Sequence, residues 1–434
     1  MLKVFVNAFR TPELRRKILF VLGIIVLFRL GSMLPAPGVN VSNVRECVDL
    51  AAGGENAGLF ALINVFSGGA LLQLTVFALG IMPYITASII LQLLVVVIPR
   101  LEALKKEGQS GQAKITQYTR YLTVGLAILQ AAGIVALARS GDLFQGACNL
   151  PLLYRPDSLA SYLLIVLTMV AGTTVIMWFG ELITDRGVGN GMSILIFTQV
   201  VATFPGSMWN IRETQGWSTF AIVIAVGLAV VALVIFIEQA QRRIPVQYAK
   251  RMVGRRMFGG SSTYIPLKVN QAGIIPVIFA SSLMYLPVLW VNFNAESRFS
   301  SWIQDHFVTG DHPYYMATFF LLIVFFTYFY VSITFNPEEV ADNMKKYGGF
   351  IPGIRAGKPT QDYLGYVLSR ITAPGALYLG LIALIPMLAI ALVGANQNFP
   401  FGGTTILIIV GVGLDTVKQI ESQLQQRNYE GFLK

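Results

Sequence analysis

Charged side chains are scarce in this sequence of 434 residues. Asp, Glu, Lys and Arg make up only 12% of the chain, whereas soluble domains carry about 25%. Hydrophobic residues account for 55%, and the mean hydropathy is +0.64. This composition excludes an ordinary soluble domain and predicts an all-α polytopic membrane protein.

Groups that carry out catalysis or ion coupling are also scarce. The two histidines, His306 and His312, fall in one loop, and no cluster has the spacing of a metal site. The segment from Gly353 to Pro359 is one residue short of a phosphate-binding loop and lacks its Ser or Thr. Arg29 is the clear ionisable residue inside a span, where snorkelling or packing against a carbonyl is expected. Catalysis, ion-coupled transport and a bound cofactor are therefore all disfavoured.

Cysteine is limited to Cys47 and Cys148, which both fall in external loops. A disulfide can persist on that side of a membrane. We hypothesise that the two residues pair, and two free thiols are the alternative.

Ten apolar runs occupy the chain, and most approach the roughly 20 residues that a bilayer requires. They lie near residues 18–34, 74–98, 121–138, 162–179, 192–204, 220–237, 272–291, 314–335, 371–393 and 404–417. The fifth and tenth are short. With the N-terminus inside, 26 Lys and Arg residues fall in cytoplasmic segments and five in external loops. The positive-inside rule therefore predicts cytoplasmic termini, with residues 1–17 forming an amphipathic helix before an uncleaved first span.

Ten spans divide into two halves of five, predicted at residues 18–204 and 205–417, followed by a cytoplasmic tail at 418–434. Because five is odd, the halves would have opposite orientations, as in inverted-repeat transporters. Short or interrupted spans fall at equivalent positions, the second with the seventh and the fifth with the tenth. This pattern predicts a pathway between the halves, lined by those four spans. The symmetry rests on hydropathy alone.

The stretch from Leu59 to Pro99 is apolar enough to span a bilayer but contains residues that interrupt a helix. The Gly68-Gly69 pair comes early, and Pro83, Thr86 and Gln92 follow. Irregular backbone at membrane depth persists only inside protein or beside a water-filled cavity. The pattern favours a short half-inserted segment followed by a true span, and an ordinary span with packed polar residues is the alternative.

Two cytoplasmic loops, at residues 238–270 and 336–370, are large and basic. Each mixes Arg or Lys with Tyr, Phe, Ile and Pro, an apolar content that a purely solvated loop does not need. We expect a docking surface for a large anionic partner, protein or RNA, with lipid headgroup contact as the alternative. The candidate residues are Arg243, Lys250, Arg255, Arg256 and Arg355.

Three functional classes compete. A passive conduit powered by partners fits the irregular second span and the basic loops. A secondary transporter of small molecules would need intramembrane charge, and an assembly scaffold would not need a broken span. The spacing of Ile81 with Ile85 and of Met192 with Ile196 puts each pair on one helix face, which by itself favours core packing.

Seven segments closely resemble the bacterial SecY family. They read NVFSGGALLQLTVFALGIMPYITASII, KKEGQSGQAKITQYTR, GELITDRGVGNGMSILIF, QRRIPVQYAKRMVGRRM, PLKVNQAGIIPVIFASS, FNPEEVADNMKKYGGFIPGIRAGKPT and FGGTTILIIVGVGLDTVKQIESQL. The resemblance covers nearly the whole chain, and the C-terminal sequence resembles actinobacterial members. It implies a protein-conducting channel of the plasma membrane that is not itself an enzyme. The implied fold has ten helices in two inverted halves around an hourglass pore, which opens to lipid between spans two and seven.

The resemblance also implies a set of partners. SecE would clamp the halves, SecG would lie at the periphery, the SecA ATPase would drive export, and ribosomes would deliver membrane proteins. SecDF and YidC are further expected partners. The transported chains are unfolded preproteins with signal sequences, and membrane lipids receive the hydrophobic segments.

Particular residues acquire roles through the same resemblance. The pore ring would consist of Ile81, Ile85, Met192, Ile196, Ile278 and Ile408. The plug would extend over about residues 60–72, including Phe60, Asn64, Phe66, Ser67, Gly68, Gly69 and Leu71. A polar cluster at the lateral gate would contain Thr86, Gln130 and Asn270. Arg355 would be the critical basic residue for docking. A narrow aliphatic ring is a sensible seal because an ion cannot enter it without losing hydration, and the flexible Met192 can take part in it.

Overall fold

The structure is a computed structural model that describes residues 9–52, 69–144, 148, 150–155, 158–248, 251–253, 256–258, 262–293, 298–303, 306–307, 312–393 and 403–431. This part of the chain is mainly helical. The helices are α1 (Pro12–Met33), α2 (Val41–Ala52), α3 (Met82–Val97), α4 (Pro99–Lys106), α5 (Gln109–Ser140), α6 (Leu159–Arg186), α7 (Gly191–Gln239), α8 (Ile275–Phe293), α9 (Arg298–Ile303), α10 (Pro313–Thr334), α11 (Pro337–Lys346), α12 (Lys358–Val393) and α13 (Gly403–Gly431). The strands are β1 (Gln241–Tyr248), β2 (Arg251–Val253), β3 (Arg256–Phe258), β4 (Ser262–Lys268) and β5 (Gly349–Phe350).

Six helical segments among the described residues are long and apolar enough to cross a membrane. They are Gln109–Ser140, Leu159–Arg186, Gly191–Glu213, Gly216–Gln239, Pro313–Lys346 and Lys358–Ile385. A seventh candidate consists of α3 and α4 together, which are bent by 99° at their junction. Pro99 begins α4 there, and proline cannot donate the hydrogen bond that would continue α3. The chain is thus a multi-pass, mainly helical membrane protein, as its composition predicted.

The helices that contain the fifth and tenth apolar runs extend beyond those runs, and at the fifth run the candidate span is Gly191–Glu213. The apolar run ends near Phe204, but α7 continues as helix through Pro205 to a break at Gly216. Gly216 has a φ of +82°, a conformation that glycine adopts without strain. Likewise, α13 continues well beyond Val417. Polar side chains lower hydropathy without interrupting the backbone hydrogen bonds of a helix, so the apolar length underestimated the helical length.

The first helix is also longer at its N-terminal end than predicted. Helix α1 is continuous from Pro12 to Met33, so the last residues assigned to a separate cytoplasmic helix continue directly into the first span. Pro12 at its first turn fits the fixed φ of proline. Residues 1–8 lie outside the described part of the chain.

The two basic loops, at residues 238–270 and 336–370, contain β-strands that the sequence did not predict in this mainly helical fold. Strand β1 pairs antiparallel with β4 on one side and with β5 on the other, and β5 belongs to the second loop. Ile244, Val246 and Leu267 from this sheet are buried against Met344 and a further set of apolar residues from α11 and α12. The apolar residues of the loops therefore pack the two loops together. Sequence reasoning missed the strands because alternation over so few residues is a weak signal.

Three apolar clusters organise the membrane part. One lies among α5, α6 and the external segments around α2, and it contains Cys47 and Cys148. A second joins α7, α8, α10, α12 and α13. The third lies between them and draws residues from α1, α3, α6, α7, α8 and α13. This central cluster contains the candidate constriction.

Candidate pore constriction and docking surface

All six residues expected in the pore ring belong to the central cluster. Ile81, Ile85, Ile278 and Ile408 are buried members, with at most 9% of their surface exposed. Met192 and Ile196 are half-buried and pack against that cluster. Residues from four separate helical regions therefore converge on one aliphatic contact zone, although they are far apart in the sequence. Such a zone offers no group that would bind a polar solute strongly.

The chain approaches Ile81 through a run of turns at residues 69–81. Gly80 has a φ of +56°, and a Cβ at this position would overlap the Gln199 side-chain amide. Gln199 is buried on α7, and its Nε2 atom has no hydrogen-bond partner among the described residues. Glycine is needed at position 80 for both its backbone conformation and its lack of a side chain, and this close approach brings Ile81 against α7.

Met192 occupies a space left by a glycine on the neighbouring helix. A Cβ on Gly180 of α6 would overlap the Met192 thioether. Asn190 caps the N-terminus of α7 by accepting a hydrogen bond from the Met192 backbone N–H at 3.1 Å. The cap fixes the start of α7, and the flexible side chain of Met192 then fills the gap between α6 and the central cluster.

The two helices expected to form the lateral gate, α3 and α8, are neighbours, but the polar residues expected between them have other hydrogen-bond partners. Helix α3 contacts α8. The Thr86 hydroxyl donates to the Met82 carbonyl at 3.0 Å within its own helix. The Asn270 side-chain amide donates to the Glu238 carboxylate. Gln130 is half-buried on α5. In the described residues Asn270 is therefore paired with Glu238, and sequence reasoning did not identify that carboxylate.

The expected plug lies largely outside the described residues. Phe60, Asn64, Phe66, Ser67 and Gly68 all fall there. Gly69 and Leu71 are described and half-buried in the turns that precede Ile81.

Two of the expected docking residues, Arg243 and Arg355, are described in full, and both lie in the basic loops. Arg243 on β1 is exposed, and its guanidinium lies 4.8 Å from the centre of the Tyr264 ring on β4. Arg355 is exposed in a tight loop between Gly353 and Gly357, both of which have positive φ.

A side-chain hydrogen bond from α12 fixes the loop around Arg355. The buried Thr360 hydroxyl donates to the Arg355 carbonyl at 2.9 Å, and this bond constrains the backbone that carries the guanidinium. Lys250 and Arg255 lie outside the described residues, and for Arg256 only the backbone on β3 is described.

An ion pair between α5 and α6 was not identified from the sequence. Arg120 donates to both carboxylate oxygens of Glu181, each at 2.8 Å. The Gln117 side-chain oxygen accepts a third hydrogen bond from Arg120. Both charged residues lie at the ends of apolar runs, where composition alone assigns them to loops.

Cys47 and Cys148 form a disulfide in the structure, with 5.3 Å between their Cα atoms. Backbone hydrogen bonds accompany it, because Asn40 donates to the Leu152 carbonyl and Tyr154 donates to the Gly38 carbonyl. The disulfide therefore joins two segments that already pair through their backbones.

Comparison with known proteins gives a consistent result. A sequence model of the SecY family matches residues 75–417. A protein from Streptomyces griseus named "Protein translocase subunit SecY" is 68% identical over 440 residues, and the match covers all of both chains. That organism is an actinobacterium, the group indicated by the C-terminal sequence.

Two solved structures share the fold. One is described as "a protein conducting channel", with a TM-score of 0.62 and 19% identity over 94% of this chain and 91% of the other. The second is Sec61 in the canine ribosome–channel complex, with a TM-score of 0.60 and 17% identity over the same shares. At these identities the likeness concerns the fold alone.

Proposed function

The chain belongs to the SecY family, and from this premise we propose that it is the protein-conducting channel subunit of a membrane translocase. It would pass unfolded secretory chains across the plasma membrane and release hydrophobic segments sideways into the lipid. The energy would come from a partner, either the SecA ATPase or a translating ribosome. The chain itself would act as a channel and would catalyse no reaction.

The observation that best supports this function is the convergence of six aliphatic side chains in the central cluster. Ile81, Ile85, Met192, Ile196, Ile278 and Ile408 come from α3, α7, α8 and α13 or their starts. A passing polypeptide carries every kind of side chain, so its constriction should bind none of them strongly. An aliphatic contact zone meets this requirement and also resists ions, which would have to shed water to enter.

The transport path would lie between two halves of five spans, at residues 18–204 and 205–417, with both termini in the cytoplasm. The sideways exit would lie between α3 and α8, which contact each other. Residues 60–72 would close the path at rest, and a hydrophobic signal helix would shift the gate near Thr86, Gln130 and Asn270 towards its open state.

The cytoplasmic sheet would receive the partners. Arg243 and Arg355 are exposed on it or beside it, and Lys250, Arg255 and Arg256 fall in the same loops. A ribosome is a polyanion, so clustered arginines and lysines would favour its approach. One solved structure of similar fold is itself part of a ribosome–channel complex. SecE, SecG and SecA would complete the assembly, with SecDF and YidC associating transiently.

Site-specific photocrosslinking tests the proposal. A photoreactive amino acid at Ile85 should crosslink to a secretory chain that is stalled during transport. The same probe at Leu129, which is 70% exposed on the surface of α5, provides the control and should react with lipid or with no protein. A stalled chain that reacts equally at both positions, or at neither, would contradict a path through the central cluster.

A further inference from the structure

The cytoplasmic hairpin of β1 and β4 is closed at its base by two side chains. Glu238 lies in the last turn of α7, just before the chain enters β1, and Asn270 lies just after the chain leaves β4. The Asn270 side-chain amide donates to the Glu238 carboxylate, and also to the Gly273 carbonyl at 3.2 Å. The Val269 N–H donates to the Ala240 carbonyl at 3.0 Å. We call the Glu238–Asn270 pair the stem clamp.

The stem clamp adjoins both C-terminal helices that contribute to the ring. Helix α8, which carries Ile278, begins directly after the Gly273 turn. On the other side, Lys268 at the end of β4 contacts Asp415 of α13 with 3.4 Å between nitrogen and oxygen. Asp415 lies about two turns along α13 from Ile408 and therefore on the same side of that helix. The hairpin base is thus linked to Ile278 through the backbone that continues into α8. It is linked to α13, the helix of Ile408, through the contact between Lys268 and Asp415.

The surroundings of the stem clamp are tightly packed and polar. Asn270 is 3% exposed. A Cβ on Gly375 of α12 would overlap the Val269 carbonyl, so α12 contacts the backbone of the stem directly. Tyr378, one turn further along α12, lies within electrostatic range of Glu238. Lys268, Asp415 and Lys418 also lie within that range of the Glu238 carboxylate.

Three atoms at or near the stem clamp retain unused hydrogen-bonding capacity. Asn270 Oδ1, Gln271 Oε1 and the Tyr378 hydroxyl are buried and have no hydrogen-bond partner among the described residues. Leaving a buried polar atom without a partner is unfavourable. A hydroxyl can donate and an amide oxygen can accept, so the base of the hairpin retains polar groups that the stem clamp does not use.

We propose that Glu238 and Asn270 are positioning residues that transmit docking on the cytoplasmic hairpin to the pore ring. A partner that tilts the hairpin would move Asn270 and, with it, the start of α8 and Ile278. The Lys268–Asp415 contact would carry the same displacement to α13 and Ile408. Without the stem clamp the hairpin would still fold and bind, but its movement would no longer reach the ring. This inference rests on the proposed function.

A distance measurement tests the stem clamp independently of transport. Spin labels on ketone-bearing amino acids at Thr263 of β4 and Gln419 of α13, both exposed, report how firmly the hairpin is held to the ring helix. The purified chain in lipid nanodiscs should give one narrow distance distribution. Glu238→Leu and Asn270→Leu should each broaden the distribution at least twofold. Glu238→Gln keeps an acceptor oxygen and should stay narrow, as should the control Glu421→Leu, which removes an exposed carboxylate from α13.

The same variants are then compared in reconstituted vesicles for ribosome binding and for protein transport. Glu238→Leu should reduce transport about tenfold, which corresponds to about 1.4 kcal/mol of lost coupling, while ribosome affinity changes less than twofold.

A narrow distribution of the label-to-label distance in Glu238→Leu would overturn the proposal. So would equal losses of binding and transport, because these would show that the hairpin had merely unfolded. If the unmodified chain transports nothing, the proposed function fails, yet the distance distributions still decide whether the stem clamp holds the hairpin.

Discussion

Arg120 and Glu181 form a bidentate ion pair that joins α5 to α6. Both nitrogen–oxygen distances are 2.8 Å, and Glu181 has only 19% of its side chain exposed. Tyr84 of α3 lies within electrostatic range of both charges. The pair therefore stands where three helices of the N-terminal half meet, and a planar guanidinium on a carboxylate fixes their relative orientation.

Breaking this pair should destabilise the protein measurably. Arg120→Ala leaves the half-buried Glu181 without its partner, and the expected loss of stability is about 1–3 kcal/mol. Thermal unfolding in detergent, with Glu181→Ala and the double variant completing a cycle, measures the coupling. Lys106→Ala removes one member of the exposed pair with Glu102 and should change stability by less than about 0.5 kcal/mol. A double variant as unstable as the sum of both single variants would contradict the coupling.

Enlarging the aliphatic ring should make the resting channel leak. Replacing Ile81 and Ile85 together with Gly removes two buried side chains from the constriction, so hydrated ions should pass more easily. Single-channel recording in planar bilayers measures the conductance. The control replaces Ile382 with Gly. Ile382 is buried in the separate cluster among α7, α8, α10, α12 and α13. That change also removes core packing but should leave the conductance unaltered, so a leak in both variants would point to general loosening.

Reversing the charge of Arg355 should stop export that SecA drives while the chain remains inserted in the membrane. Its guanidinium is exposed on a loop fixed by the Thr360 hydroxyl, so a Glu at this position meets the same surface of the partner with opposite charge. Transport of a secretory protein into proteoliposomes provides the measurement. Lys358→Glu changes another exposed cation, at the start of α12; it controls for net charge and should retain most activity. Normal transport by Arg355→Glu would refute the assigned role.

The disulfide between Cys47 and Cys148 should be detectable and should contribute to stability. Alkylation of the unreduced, unfolded protein followed by mass spectrometry should label neither cysteine, whereas prior reduction should expose both. Because the bond closes a loop over 101 positions of the chain, the Cys47→Ser and Cys148→Ser double variant should lose about 2–5 kcal/mol. Two labelled thiols in protein taken directly from the membrane would reject the bond.

Much of the fold followed from patterns that are local in the sequence. Hydropathy identified the apolar runs, and most described runs lie within a helix. The second run, at residues 74–98, is an exception, because it begins as turns and is helical only from Met82. The pairing of Ile81 with Ile85 at i,i+4 indicated one shared face, and the resemblance to SecY grouped these residues with Ile278 and Ile408, which the structure brings into one cluster. The ends of the helices were less predictable, because α7 continues past Phe204 despite its polar residues.

The polar contacts could not be predicted in the same way. Asn270 was expected to pair with Thr86 and Gln130 but donates to Glu238. Arg120 and Glu181 are separated by 61 positions, and either residue alone fits a cytoplasmic helix end. The apolar residues of the cytoplasmic loops indicated a docking surface, yet Ile244 and Leu267 are buried within the loops themselves.

The sequence by itself determined that this is a multi-pass helical membrane protein of the SecY family. Insertion into a bilayer depends on hydropathy summed over about 20 consecutive residues, and family membership depends on long motifs. Both properties depend on residues that are close together in the sequence, so both can be predicted from it. Only the tertiary structure decided which polar groups meet, how the two basic loops share one sheet, and that the Glu238 carboxylate closes the base of the hairpin. These features depend on distances between residues remote in sequence, where buried polar groups must find partners wherever the packing brings one within reach.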